Sequence, residues 1–364
     1  MSVGSRVLLR AACLALAVVA VLLFGPARRA VEATFADPGL EAAVREAVGR
    51  PAGPLDRGEL ARLVELRAVG REIASLDGIE VCRGLRAADL GENRIADLRP
   101  LAGLSQLETL ILRSNAVEDV SPLAELTQLQ KLDLDFNSLH DAAPLAGLRN
   151  LRWLGLWGSR LHDITPLAGL LELRELGLSR CPIVDFAPLS GLVHLEWLGL
   201  PGTGLVDLSF LTPLVRLKRL SLGENAVVDL SPLSGLVGLE FLGLSENQIE
   251  DVSALAGLTK LRRLSLWKNQ VTNVEPLAGM TRLERLWLDQ NPVEDVSVVE
   301  AMTQLEVLGL SETLVGDLSP LVRNAGLGEG DSVDLRGVAL APATLEFVSR
   351  LEARGVRVER TADL

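Results

Sequence analysis

His140 and His162 stand 22 residues apart, and each is followed by an aspartate, Asp141 and Asp163. On neighbouring parallel strands that spacing would bring the two imidazoles to about 5 Å, close enough to share a zinc ion. A zinc site needs a third and usually a fourth ligand, and the pair lacks a third and fourth ligand of evident geometry. His194, the third histidine, occupies a different register. It completes neither a metal set nor a Ser/His/Asp or Cys/His arrangement, so the pair reads as solvated edge residues.

Carboxylates recur with the same spacing at Asp97, Asp119, Asp141, Asp163, Asp185, Asp207, Asp229, Asp251, Asp295 and Asp317, interrupted only by Asn273. Calcium takes six to eight oxygens, whereas this column offers one carboxylate per repeat with apolar residues beside it. Each aspartate is expected instead to accept hydrogen bonds from backbone amides where a turn begins. Ser121-Pro122-Leu123, Thr165-Pro166-Leu167 and Ser231-Pro232-Leu233 follow it and read as an N-cap with proline at the first helical position. No glycine-rich phosphate loop follows a strand and opens a helix. The expectation is a chain that is not an enzyme, with no catalytic residues, no metal and no cofactor.

The aromatic residues carry a different signal. Trp153, Trp157, Trp197, Trp267 and Trp287 are all the tryptophans, and Phe136 and Phe241 fall on or beside the same positions. In the strands read below, all five tryptophans point outward, away from the leucines. Aromatics favour strands and pack there; a contiguous exposed apolar patch, though, marks a binding surface, and Trp and Arg are enriched at interface hot spots. The candidate ligand-binding residues are Trp153, Trp157, Trp197, Arg219, Phe241, Arg263, Trp267, Arg285 and Trp287. They divide into a front group around Trp153, Trp157 and Trp197 and a back group around Phe241, Trp267 and Trp287, with Gly155, Gly177, Gly199 and Gly243 leaving room between them.

What positions these residues is a strict repeat. Leu107, Leu129, Leu151, Leu173, Leu195, Leu217, Leu239, Leu261, Leu283 and Leu305 each follow the last by 22 residues and open the pattern LxxLxLxx[N/S/C/T]. The register extends back to Leu85 and, degraded, to Leu63. A strict period of this length means a stacked solenoid. Leu110 and Leu112 alternate with Ile111 and Arg113, so a period-two strand buries the leucines and turns the others outward. Asn93, Asn115, Asn137, Asn225, Asn247, Asn269 and Asn291 recur where the chain leaves the strand, and a stacked amide there can satisfy backbone groups that lose their ladder partners. Ser159, Cys181, Thr203 and Thr313 fill that place with smaller groups, which makes the central coils locally softer.

The units LETLILRSNAVEDVSPLAELTQ (107–128) and LEFLGLSENQIEDVSALAGLTK (239–260) resemble bacterial leucine-rich repeats of the internalin-like, 22-residue class. The resemblance covers roughly residues 35 to 360 and implies an α/β solenoid. In that arc a parallel sheet lines the concave side, short helical or 3-10 turns form the back, a helical cap precedes the repeats and an α/β cap closes them. The same scaffold carries many partners, so fold does not fix function. Residues 34–84 read as the N-terminal cap with a degenerate repeat, 85–326 as the repeats and 327–364 as the C-terminal cap. Phe35 to Leu40 leads into an amphipathic helix through Val44 and Val48. Val333 and Leu335 suggest a last full strand, Ala341 to Arg354 a helix ended by Gly355, and Val356 and Val358 a short closing strand.

The formal net charge is −12, and it grows more negative without residues 1–33, which hold four arginines and one glutamate. A chain this acidic is a poor polyanion binder. On the concave positions Arg113, Lys131, Arg219, Arg263, Lys268 and Arg285 are offset by Asp89, Asp133, Asp135, Glu224, Glu246 and Asp289, so nucleic acid is not expected as a partner.

Arg6 and Arg10 precede an apolar run from Ala11 to Phe24, 14 residues long. That suits the core of a signal peptide better than a spanning helix of about 20 residues. Residues 1–33 therefore read as a signal peptide, with export to the periplasm, the cell surface or the medium. The alternative is a membrane tether through residues 7–24, because Arg28 and Arg29 flank the run awkwardly. Cys82 and Cys181 lie about four coils, near 20 Å, apart, too far for a disulfide, and both read as structural thiols. The functional expectation is an exported, non-catalytic protein that binds a protein or peptide on its concave face. The alternatives are a glycan-binding module, with tryptophans stacking on sugars, and a structural envelope protein without a defined ligand.

Overall fold

The computed structural model describes residues 32–342 and 344–361, so the readings of the leader lie outside the described residues. Fourteen three-residue strands, β1 (Glu65–Arg67) to β14 (Arg357–Glu359), form one sheet in strict chain order. Every neighbouring pair is parallel. From β1 to β12 (Val307–Gly309) the register advances by one repeat, as in Leu154↔Leu176↔Leu198↔Leu220, so the 22-residue period becomes one strand step. Even the degraded unit at Leu63 contributes a paired strand, with Leu66 beside Ala88.

The inward leucines are sealed. Leu154, Leu156, Leu176, Leu178, Leu198 and Leu200 have no solvent exposure, and one apolar core runs through all coils. No coil could bury these side chains alone, because each closes the core of the next. On the back, 3-10 turns such as Ser121–Leu123, Thr165–Gly169 and Ser231–Leu233 carry one more buried leucine each.

The asparagine column forms the amide stack anticipated from sequence. Asn137 Nδ2 donates to Leu112 O at 2.9 Å and Leu134 O at 3.0 Å, while its Oδ1 accepts Val117 N–H at 2.9 Å. One side chain thus ties two coils. Its replacements do less: Cys181 Sγ reaches Leu156 O at 3.2 Å and Thr203 Oγ1 reaches Leu200 O at 3.0 Å, and Ser159 Oγ is buried without a partner.

The aspartates open the back-side turns. Asp119 Oδ1 accepts the N–H of Ser121 at 2.8 Å, and the same bond recurs at Asp163, Asp207, Asp251 and Asp317; Asn273 replaces the carboxylate without losing it. Ser121, Thr165 and Ser231 do not cap their turns as expected. Each serine lies inside its 3-10 turn, and its hydroxyl donates to the preceding aspartate. The aspartate, two residues earlier, is the group that satisfies the turn.

At the front, the helix Pro38–Ala47 starts at Asp37, whose Oδ1 accepts Gly39 N–H at 2.8 Å and whose Oδ2 accepts Ala74 N–H at 2.8 Å. One carboxylate caps the helix and binds it to the first coil. At the other end, the helix Leu345–Ala353 lies in the crossover that joins β13 (Ser332–Asp334) to its neighbour β14, and Gly355 ends it at φ +88°, a conformation that glycine adopts without strain. Among the described residues no helix is long and apolar enough to cross a membrane. Cys82 and Cys181 are buried free thiols, and burial pushes both up to about 12, which keeps them protonated and unreactive.

Candidate functional site

The first outward position of each strand forms a continuous row across the sheet. From β5 (Trp153–Gly155) to β11 (Arg285–Trp287) it reads Trp153, Glu175, Trp197, Arg219, Phe241, Arg263 and Arg285, each in register with the next. Six of the nine residues expected at the site therefore stand in one line. The front and back groups inferred from sequence meet in it, since Trp197 and Phe241 are separated only by Arg219. Arg219 reaches across the strand of Trp197 to pair with Glu175 at 3.5 Å.

The aromatic rings do not stand free above the sheet. A methyl group added at Gly199 would meet Trp197 at 3.1 Å, and one at Gly177 would meet the same ring at 3.3 Å. At Gly155 it would strike Trp153 and Asp135 Oδ1, both at 2.7 Å, while Phe241 lies 3.5 Å from the corresponding point on Gly243. The glycines read as spacers are thus the floor on which the rings lie. One face of each ring packs, and Trp153, Trp197 and Phe241 are half-buried.

Trp157 and Trp267 occupy a different place. The strands end two residues before them, at Gly155 and Ser265, so the third outward position belongs to the exit turn. These are the more exposed tryptophans, at 39% and 38%. Trp157 packs against Phe136, with ring centroids 4.6 Å apart and planes at 42°. Phe136 is 51% exposed and has φ +55°. It belongs to a column of left-handed residues, one per coil, in which Gly70, Gly158 and Gly202 are the unstrained members. A bulky residue there is unfavourable, but the left-handed turn recurs in coil after coil and belongs to the repeat. Sequence reasoning missed this column; the recurrence of Gly70, Gly158 and Gly202 in one register was the available signal.

The charges differ between the two ends of the row. Near Trp153, Lys131 Nζ sits 4.8 Å from the indole centroid. Asp133 is buried, and Asp135 accepts the backbone N–H of Trp157 at 2.8 Å. Burial pushes Asp133 upward and Asp135 up to about 6, the latter helped by the Asp133 charge and opposed by the Trp157 N–H. Toward the C-terminus, Phe241, Trp267 and Trp287 line a concavity of about 830 Å³ whose floor is small residues such as Ser245, Ser265 and Gly309. Its far wall carries Asp334, Arg336, Arg357 and Glu359 from the last two strands and the turn between them. Arg263 and Arg285 are absent from its lining. Arg263 is exposed beside Phe241, and the half-buried Arg285 has an Nε without a hydrogen-bond partner.

His140 and His162 are both exposed on successive coils, and His162 Nδ1 lies 3.0 Å from Arg160 O in its own coil. Among the described residues no three His, Cys, Asp or Glu side chains gather as a metal site would require.

The profile of the family described as Leucine Rich repeats (2 copies) matches residues 105–147, 215–257, 237–279 and 259–301. No curated protein matches the chain in sequence. Among solved structures, the internalin inlF of Listeria monocytogenes is 29% identical, with 84% of this chain and 98% of that chain covered at a TM-score of 0.74. The functional domain of InlJ from the same organism is 20% identical over 88% of this chain and 78% of its own, with a TM-score of 0.69. A leucine-rich repeat protein of Leptospira interrogans is 21% identical over 78% of this chain and 74% of its own, also at 0.69. The last two speak for fold alone. The 22-residue register, the sheet in chain order, the amide stack and the helical cap make the chain a leucine-rich repeat solenoid similar to the bacterial internalins.

Proposed function

We propose that this chain is an exported, non-catalytic binding protein that holds a protein or peptide ligand across its concave strands. The observation that carries the reading is the row from Trp153 to Arg263, continued by Arg285, where aromatic faces and charged groups alternate at one strand step of about 4.8 Å. An extended peptide could set apolar side chains on Trp197 and Phe241 and polar ones beside Arg219 and Arg263, the residue classes that dominate interface hot spots. Export rests on the apolar run of residues 11–24, after which the concave face would meet extracellular partners.

A second reading is supported at one end of the row. Asp133 and Asp135 stand beside Trp153 and Trp157, and carboxylates flanking an indole suit a sugar, with the ring stacking on Trp and its hydroxyls donating to the acids. A displayed random-peptide library and a glycan array, both probed with the purified chain and with Trp197→Ala, separate the two. Enriched peptides lost in Trp197→Ala support the peptide reading. Glycan hits with no enriched peptide would replace it, and silence in both assays would favour a structural envelope role.

A further inference from the structure

The edge on which the chain enters its strands carries an aliphatic stripe unrelated to the concave row. Leu171, Val193, Val215 and Val237 stand at one register position in four consecutive coils and are 54%, 43%, 58% and 53% exposed. Outside these coils the same position is polar: Ser105, Thr127 and Arg149 before, Thr259, Thr281 and Thr303 after. An exposed leucine is ordinary, but four aliphatics in contiguous coils form a patch of the kind that marks association. On one flank the surface is smooth, with Gly169, Gly191 and Gly235 facing open space.

On the other flank, three residues further along each coil, stand Arg174, Glu196, Lys218 and Glu240. Within the chain Glu196 lies 3.9 Å from Arg174 and 2.7 Å from Lys218. Read along the solenoid, the column alternates plus, minus, plus, minus over the same four coils as the aliphatics, and the two columns share one midpoint. An alternating column of even length is complementary to its own reverse.

We infer that this edge is a contact between two copies of the chain, packed antiparallel about a twofold axis passing between Val193 and Val215. In that register Leu171 meets the partner's Val237 and Val193 meets the partner's Val215. Arg174 faces the partner's Glu240, and Glu196 faces the partner's Lys218. Such an interface is isologous and closed. Glu172, His194, Arg216 and Gly238, between the two columns, form no ion pair in it. One coil further out, Arg152 would face the partner's Arg262, so complementarity ends where the aliphatics end. Four coils at about 4.8 Å give a contact of on the order of 400 Å² per copy, half of the roughly 800 Å² typical of stable complexes. The dimer is therefore weak and concentration-dependent, and it leaves both concave faces open.

Sedimentation equilibrium of the purified chain tests this. The mass should rise from one chain toward two with concentration, and Val215→Glu should hold it at one chain with unchanged circular dichroism. Arg174→Glu should weaken association by at least about tenfold, because it sets like charges against each other across the interface. Adding Glu240→Arg should restore it. Residues 174 and 240 lie three strand steps, about 14 Å, apart in one chain, so the swap can be coupled only through the partner. A monomer at every concentration, an assembly growing beyond two copies, or a double variant no better than Arg174→Glu would overturn the proposal.

Discussion

Phe136 rests on Trp157 at 4.6 Å between ring centroids while its own backbone stands at φ +55°. The stacking of two exposed rings is worth about 0.5–1.5 kcal/mol, and a left-handed backbone costs an L-residue about 1–2 kcal/mol. Contact and strain nearly cancel, so the ring gains the fold little over the Gly158 of the next coil.

Substitution at that position checks the strain. Phe136→Gly and Phe136→Val both remove the stacking, but only glycine relaxes the backbone. The glycine variant should be the more stable of the two by about 1–2 kcal/mol in urea denaturation. At an ordinary exposed strand position the order would be reversed. Equal stabilities would show that the chain is not held left-handed there.

The amide stack has its gap at Ser159, whose buried hydroxyl has no partner. In the preceding coils Asn115 and Asn137 each bridge to the coil before them through both Nδ2 and Oδ1. Ser159→Asn should complete the stack and raise stability by about 1 kcal/mol, read as an increase in Tm. A lower Tm would mean that the central coils have closed around the smaller side chain.

How much of this was legible follows from what a period can encode. Spacing fixed the strand step, the buried leucines, the amide stack and the turn aspartates, because each is a local role repeated at one register. It also placed the aromatics on one face. Orientation was not encoded: that Trp197 lies down on Gly177 and Gly199, or that Arg219 passes over a whole strand to Glu175, depends on rotamers and neighbours two coils away. The left-handed column escaped because Glu, Ser, Arg and Lys fill most of it and hide the glycine signal. The serines after the aspartates misled for a related reason. Ser-Pro-Leu has the form of a cap, but the open amide is the N–H of Ser121 itself, which Asp119 accepts while the serine hydroxyl donates to the same carboxylate.

The solenoid itself predicts an asymmetry between small and large changes. Leu198 has no solvent exposure and sits between Leu176 and Leu220 in the ladder. Leu198→Asp buries a charge at a cost of several kcal/mol and should unfold neighbouring coils. Deleting residues 239–260 keeps the register and lets β8 (Arg219–Ser221) and β10 (Arg263–Ser265) pair directly, so it should be milder. Circular dichroism distinguishes them, and equal loss in both would count against coils that stack independently.

Acid acts on two sets of aspartates with opposite sign. Serine N–H and hydroxyl bonds hold Asp119, Asp207, Asp229 and Asp251 below the usual carboxylate value of 3.8. Their contribution to stability is present above that value and is lost as pH falls through their lowered pKa. Burial raises Asp135 to about 6, so the fold favours its neutral form; that contribution is complete below 3.8 and is lost as pH rises through about 6. Asp135→Asn keeps an acceptor for the Trp157 N–H without the charge. It should raise Tm more at roughly pH 7.5 than at roughly pH 4, and a pH-independent difference would place the pKa of Asp135 near its ordinary value.

The tryptophans separate into two kinds of variant. Trp197 is half-buried on its two glycines, so Trp197→Ala should cost about 1–2 kcal/mol of stability, a fraction of what a fully buried ring would. Trp157 and Trp267 are the most exposed of the five, at 39% and 38%. Their alanine variants should melt within a few degrees of the parent, yet each should weaken ligand binding by about 2 kcal/mol if it anchors the partner. Glu125→Ala, exposed on the back, should change neither property. Calorimetry with a peptide selected on the parent chain reads both quantities in one set of variants. Large losses of Tm at Trp157 and Trp267 with unchanged affinity would mean that the aromatic face holds the solenoid together rather than a ligand.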